Sequence, residues 1–210
     1  MVAESALAVI IGYLLGSIPF AYIAGRLIKG VDIRRVGGGN VGATNVMREV
    51  GTASGIAVLI ADIAKGTVAV LIAQQLSDSL IITFIAGFAA VVGHNWPLFL
   101  KFSGGRGGAT TIGVFFALVP VESAIAFGIM LLIAFVTSNL RLAMGVGFIF
   151  LPLIIWGFGG EMSYIIYSLA MYFFTGLRGL PAVIRSLRNP EERRGFFIDR
   201  EYKPWQRKRK

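Results

Sequence analysis

Two short stretches carry residue types suited to holding phosphate. Residues 37–45 read GGGNVGATN, and residues 93–111 read GHNWPLFLKFSGGRGGATT. Glycine adopts positive φ and lets backbone approach a ligand closely. Successive amides in such a turn form an anion nest, and a helix start adds further amides aimed at negative charge. In the first stretch Gly39, Asn40, Gly42, Thr44, Asn45 and Arg48 are the candidate ligand contacts, with Arg34 and Arg35 just before them. Thr44 or Asn45 is expected to cap a helix continuing to Ile72. No Gly-Lys-Ser/Thr follows, so this is not a Walker A loop.

In the second stretch the corresponding candidates are Gly104, Gly105, Arg106, Gly107 and Thr110. GRGGAT at 105–110 echoes GNVGAT at 39–44. Both hexamers open an apolar run, which suggests two anionic groups or one ligand gripped from two sides. His94 is the only histidine and lies 12 residues before Arg106 across a proline turn, so both can reach one site. Its chemistry is that of a base or hydrogen-bond donor. His94, Arg106 and Asn40 are taken as the catalytic candidates. Arg141, the one charge in TSNLRL, either contacts a phosphate or marks topology. Asp62 and Lys65 stand at i and i+3 inside an apolar run, where ionisable groups are costly. They form a mutual ion pair or lend positive potential to the first loop. A lone histidine, no cysteine and few carboxylates on that side give no metal site, and no cofactor is expected.

The elements that must position these residues are apolar and long. The 210-residue chain is 56% hydrophobic and only 15% charged, against about 25% charged in an ordinary soluble domain; its mean hydropathy is +0.75. Spans are read at 5–25, 52–76, 80–100, 108–119, 121–137, 141–158 and 161–178. The fold class is therefore an all-α integral membrane protein, a bundle of seven transmembrane helices. The first run is read as a retained span, since it opens with Glu4 and has no clear cleavage pattern. The fourth span is short: its 12 residues cover about 18 Å of a ~30 Å hydrocarbon core.

Every Lys and Arg except Lys65 falls in connections 26–51, 101–107 and 138–141 or in the tail from Arg178. The other connections carry Glu4, Asp78, Glu122 and Glu161 instead. The positive-inside rule places both glycine loops and the C-terminus in the cytoplasm and the N-terminus outside. Residues 1–178 form the membrane domain, with cytoplasmic loops 26–51 and 101–107, and 179–210 form a basic tail. The tail interleaves basic residues with Phe196, Phe197, Tyr202 and Trp205. In a multispan protein that mixture suits anionic lipid headgroups, not nucleic acid.

GSIPF at 16–20, GGGNVGATNVMREVG in the first loop, DIAKG at 62–66 and GHNWPLFLKFSGGRGGAT at 93–110 together resemble the bacterial membrane acyl-phosphate:glycerol-3-phosphate acyltransferases, the PlsY family. The resemblance runs over most of the chain. It implies seven transmembrane helices in the cell membrane, a cytoplasm-facing site, and transfer of an acyl chain from acyl phosphate to the 1-hydroxyl of glycerol 3-phosphate. A monomer is the expectation. The chain departs from the family at Gly38, where a serine is usual, and at Arg106, where a planar fork replaces a lysine point charge. Leu180 and Val183 align with a histidine and an asparagine of the family, which also has a serine near Arg141. The same residues suit two other readings: a paralogue acting on another phosphorylated acceptor or lipid, or a small anion transporter or non-catalytic lipid-binding protein.

Overall fold

The computed structural model describes residues 2–188. Among them the regular structure is helical. The helices are α1 (Val2–Gly16), α2 (Phe20–Lys29), α3 (Ala43–Glu49), α4 (Thr52–Leu76), α5 (Leu80–Asn95), α6 (Gly108–Leu118), α7 (Pro120–Thr137), α8 (Leu140–Gly157) and α9 (Met162–Arg188), with short 3₁₀ turns at Ile33–Arg35 and Leu98–Leu100. The chain divides between Pro120 and Val121 into two compact units.

In the first unit α4 is the central helix and packs against α1, α5 and α6. Its inward residues Gly55, Val58, Asp62, Lys65, Gly66, Ala69 and Ala73 recur every three or four positions, forming one helical stripe. The opposite face exposes Ile56, Ile60, Val68 and Leu71, a surface suited to lipid. Lipid supplies no hydrophobic drive between helices, so small residues that admit close backbone contact set the packing. Gly12 and Gly16 of α1 lie against the backbone of Ala86 and Ala90 in α5. Gly66 of α4 lies against Thr110 of α6, and Gly113 of α6 against Ile63 of α4. The Thr67 hydroxyl crosses the same α4–α6 seam to the Gly113 carbonyl at 2.8 Å.

Several element ends differ from the sequence reading, each for a local reason. The first span breaks into α1 and α2 at Ser17–Pro19, because Pro19 has no N–H to continue the ladder. α5 stops at Asn95, well before residue 100. Trp96 precedes Pro97 and is held out of the helical region at φ −131° and ψ 69°. The helix expected to run from Thr44 or Asn45 to Ile72 is two helices, α3 and α4, separated by Val50–Gly51. In the second unit α8 packs against α9, with the Phe148 and Tyr172 rings 6.4 Å apart. α9 continues past the expected residue 178 to Arg188. Of the basic tail read at 179–210, residues 179–188 belong to α9, and the rest lies outside the described residues.

Four helical stretches, Val2–Lys29, Thr52–Leu76, Leu80–Leu100 and Pro120–Thr137, are long and apolar enough to cross a bilayer. Gly108–Leu118 and Leu142–Gly157 are shorter apolar helices.

Candidate active site

The α4–α5 hairpin sets the register of the buried charges. Asp62 lies 14 residues before the end of α4 at Leu76, and His94 lies 14 residues after the start of α5 at Leu80. Equal distances from the turn bring the two side chains level. His94 Nδ1 is 3.5 Å from Asp62 Oδ1, and Lys65 Nζ is 2.8 Å from the same oxygen. All three side chains are buried. Lys65 also donates to the carbonyl of Ile18 at 3.0 Å, inside the break before α2, and its ammonium lies 5.7 Å from the Phe20 ring. A narrow cleft opens here, lined by Ile18, Phe20, Val41, Asp62, Lys65 and His94. Asp62 and Lys65 do pair, as one reading of the sequence had it. The link to His94 was missed, although two intramembrane charges level with the only histidine were its signal.

The second glycine loop is built on the end of α5. Lys101 and Phe102 have positive φ and reverse the chain after the Leu98–Leu100 turn. The Gly105 amide then donates to the His94 carbonyl at 3.0 Å. A side chain at Gly105 would collide with His94 Nε2 on one side and the Val41 carbonyl on the other. Gly105 therefore sits between the histidine ring and the first glycine loop, with Nε2 facing it. Gly107 caps α6 at φ +82°, a conformation glycine alone adopts freely. Arg106 is half-buried between these glycines. Thr110 and Thr111 are fully buried, and neither hydroxyl has a hydrogen-bond partner among the described residues. A buried unpaired hydroxyl costs about 1–3 kcal/mol, an expense consistent with a place where a polar ligand completes the bonding.

The first glycine loop is braced by its own side chains. Asp32 accepts from the Arg34 backbone N–H at 3.0 Å and from its guanidinium at 2.9 and 2.7 Å. Those side-chain hydrogen bonds hold the Asp32 carboxyl down to about 2, and they raise Arg34 in turn. Arg34 and Arg26 both lie over the Tyr22 ring, so Arg34 is committed to the loop's own frame. Asn45 is buried and pins the turn from inside: its Nδ2 donates to Ile33 and Val36 carbonyls, and its Oδ1 accepts from the Gly38 amide. Neither Thr44 nor Asn45 caps a helix. Gly42 stands at the N-cap of α3 without a side-chain cap, because Asn45 has turned back to the loop.

His94, Gly104, Gly105, Arg106, Gly107 and Thr110 thus lie together at the α5–α6 connection, and the first loop meets them where Val41 touches Gly105. Gly39 and Asn40 immediately precede Val41; Asn40 and Thr44 are half-buried and Arg48 is exposed on α3. Arg141 is in the first turn of α8, and Leu180 and Val183 are in α9, all in the second unit.

The glycerol-3-phosphate acyltransferase family matches residues 6–188. "Glycerol-3-phosphate acyltransferase 1" of Dehalococcoides mccartyi is 37% identical, over 94% of this chain and 98% of its own length. "Glycerol-3-phosphate acyltransferase 2" of Moorella thermoacetica is 39% identical, over 90% of this chain and 97% of its own. Among solved structures, PlsY, described as an integral membrane glycerol 3-phosphate acyltransferase, is similar in its glycerol 3-phosphate form with a TM-score of 0.80 at 34% identity, covering 88% of this chain and 92% of that one. Its lysophosphatidic acid form gives a TM-score of 0.78. This chain is a multi-pass membrane protein and belongs to the glycerol-3-phosphate acyltransferase family.

Proposed function

We propose that the protein transfers a fatty acyl chain from acyl phosphate to the 1-hydroxyl of glycerol 3-phosphate, giving lysophosphatidate and phosphate. The observation that carries this reading is the meeting of two glycine loops at one histidine, Val41 against Gly105 against His94. Both substrates bear phosphate, and each loop offers amides at a helix start. Gly39, Gly42, Thr44 and Arg48 on one side, with Gly104, Gly105, Gly107 and Thr110 on the other, hold the phosphates, and Asn45 shapes the first loop. Acyl phosphate is already activated, so no covalent enzyme nucleophile is required. Arg106, Asn40 and loop amides stabilise the oxyanion and the leaving phosphate. His94 takes the proton of the attacking hydroxyl. Holding two reactants in line supplies much of the rate.

The topology goes with this reading: seven crossings in the cytoplasmic membrane, the N-terminus outside, and both glycine loops and the C-terminus inside. Residues 1–178 are the membrane domain, and the basic residues of 179–210 contact anionic lipid. The enzyme works as a monomer, without cofactor or nucleic acid. The chain lacks cysteine, so single replacements report sidedness. Asp78→Cys is expected to react with an impermeant maleimide in intact cells, and Arg35→Cys only after permeabilisation; the reverse pattern inverts the topology.

The deciding assay uses purified protein in lipid with acyl phosphate and radiolabelled glycerol 3-phosphate. Labelled lysophosphatidate on a thin-layer plate is the expected result. No product, with glycerol 3-phosphate still bound, would overturn the reading.

A further inference from the structure

Asp62 is 1% exposed in the middle of an apolar helix. Lys65, one turn away, is sufficient to balance its charge. Yet the same oxygen that receives the ammonium also faces His94 Nδ1 at 3.5 Å. A neutral imidazole carries one N–H, and the partner of one nitrogen decides which nitrogen holds it. A carboxylate accepts only, so the nitrogen facing it keeps the proton. Carboxylate, ammonium and neutral imidazole together add no net charge to the buried cluster. The other nitrogen, Nε2, is the one that faces Gly105, and the Gly105 amide is itself tied to the His94 carbonyl. Lys65 anchors the carboxylate from the far side through the Ile18 carbonyl, in the break that Pro19 makes.

Resting on the acyl-transfer reading above, we propose that Asp62 is a positioning residue for that reaction. It fixes His94 as the tautomer with Nδ1–H on the carboxylate, and it turns the Nε2 lone pair toward the second glycine loop. Lys65 holds Asp62 in place. In the step served, the acceptor oxygen bonds to the acyl carbon while its proton passes to Nε2. The bond between the acyl carbon and the phosphate oxygen then breaks, and phosphate leaves with the electron pair and removes the proton from Nε2. Asp62 touches neither substrate in this scheme and acts through the ring.

Because His94 is the only histidine, ¹⁵N-histidine labelling reports one imidazole. The wild type in lipid is expected to show a single tautomer, protonated at Nδ1 and bare at Nε2. Two variants remove the carboxylate: Asp62→Asn, and the double Asp62→Leu with Lys65→Met, which leaves no stranded ammonium. Both are expected to show mixed tautomers and a kcat reduced about 10- to 100-fold, with KM for glycerol 3-phosphate within about threefold of wild type. An Nε2–H tautomer in active wild type would overturn the proposal, as would wild-type kcat in the folded double variant. So would a change confined to KM. The tautomer is read without substrate. A wild type that has the expected tautomer but forms no lysophosphatidate therefore overturns the acyl-transfer reading and with it the role of Asp62 in catalysis.

Discussion

The two glycine loops share a hexamer pattern and are supported in different ways. In the first loop, side chains of the loop's own segment hold the backbone: Asp32 with Arg34, and Asn45 with Ile33, Val36 and Gly38. In the second, the frame comes from α5, through the His94 carbonyl and the His94 ring. The helix starts also differ in register. Gly42, the fourth residue of GNVGAT, is the N-cap of α3, whereas Gly107, the third residue of GRGGAT, is the N-cap of α6. Thr44 is consequently half-buried on a seven-residue helix, and Thr110 is fully buried on a longer one. A repeated sequence pattern thus yields one loop braced by its own side chains nearer the surface and one clamped inside the bundle. The clamped loop should tolerate change least.

Gly105→Ala tests the clamp most directly. Its methyl would lie where His94 Nε2 and the Val41 carbonyl already are, and the carbonyl is backbone that cannot swing away. Displacing a catalytic loop by about 1 Å costs on the order of 100-fold, so initial rates per folded enzyme should fall at least that far. Near-normal turnover would show that the two loops do not work as one site. Asn45→Asp addresses the other loop. The carboxylate could still accept from Gly38, but it would confront the Ile33 and Val36 carbonyls with oxygen in place of N–H. Stranding such buried groups costs about 1–3 kcal/mol. A lowered thermal midpoint is expected, with a raised KM for glycerol 3-phosphate and a smaller loss of kcat than in Gly105→Ala. An unchanged midpoint would mean the first loop is not held by Asn45.

The same contrast explains what could be read from sequence. Composition and hydropathy located the long helices well; α4 occupies the expected 52–76, and α6 is short as its 12-residue run implied. These features depend on summed transfer free energy along one segment. The misplaced ends depend on single backbone events. The break at Pro19 and the helix end at Asn95 each required weighing a proline against a continuing apolar run. Candidate residues of the glycine loops were visible because glycine, asparagine and arginine have few structural reasons to cluster in an apolar chain. The Asp62–His94 contact was hidden because it needs the register across the α4–α5 turn, which the pattern of neither helix alone fixes. Asn45 was assigned to a cap or a ligand because both uses suit an asparagine there, and only the folded turn distinguishes them.

Acid should separate the loops next, with a smaller effect. Asp32 sits near 2 in the folded loop against an ordinary 3.8. Between those values the unfolded chain binds the extra proton, so the contribution of Asp32 is complete above 3.8 and is lost as pH falls toward 2. Asparagine keeps one oxygen to cap the turn, so Asp32→Asn removes the charge and the second oxygen that accepts from Arg34 Nη2. Its partners are partly exposed, and the difference in stability should stay under about 1 kcal/mol. Thermal midpoints of wild type and Asp32→Asn are expected to differ by a constant amount from about pH 5 to 8 and to converge in strong acid. A difference that grows on acidification would place the stabilising charge elsewhere.

Gly38 gives the smallest expected effect and the finest test of the surface loop. Its neighbours Gly37 and Gly39 have φ of +56° and +67°, so a side chain at either is strained. Gly38 is not among the positive-φ glycines, and a methyl there would meet nothing within 4 Å. Its one bond, from its amide to Asn45 Oδ1, is made by backbone and survives substitution. Gly38→Ala should therefore shift stability by only about 0.5 kcal/mol, in the stabilising direction, because alanine restricts the unfolded chain. Matched Gly37→Ala, Gly38→Ala and Gly39→Ala variants make the measurement internal: melting should fall at the outer two positions and hold or rise at the middle one. Equal losses at all three would mean that the run is needed as a flexible stretch, and that the first loop is not the fixed turn its hydrogen bonds describe.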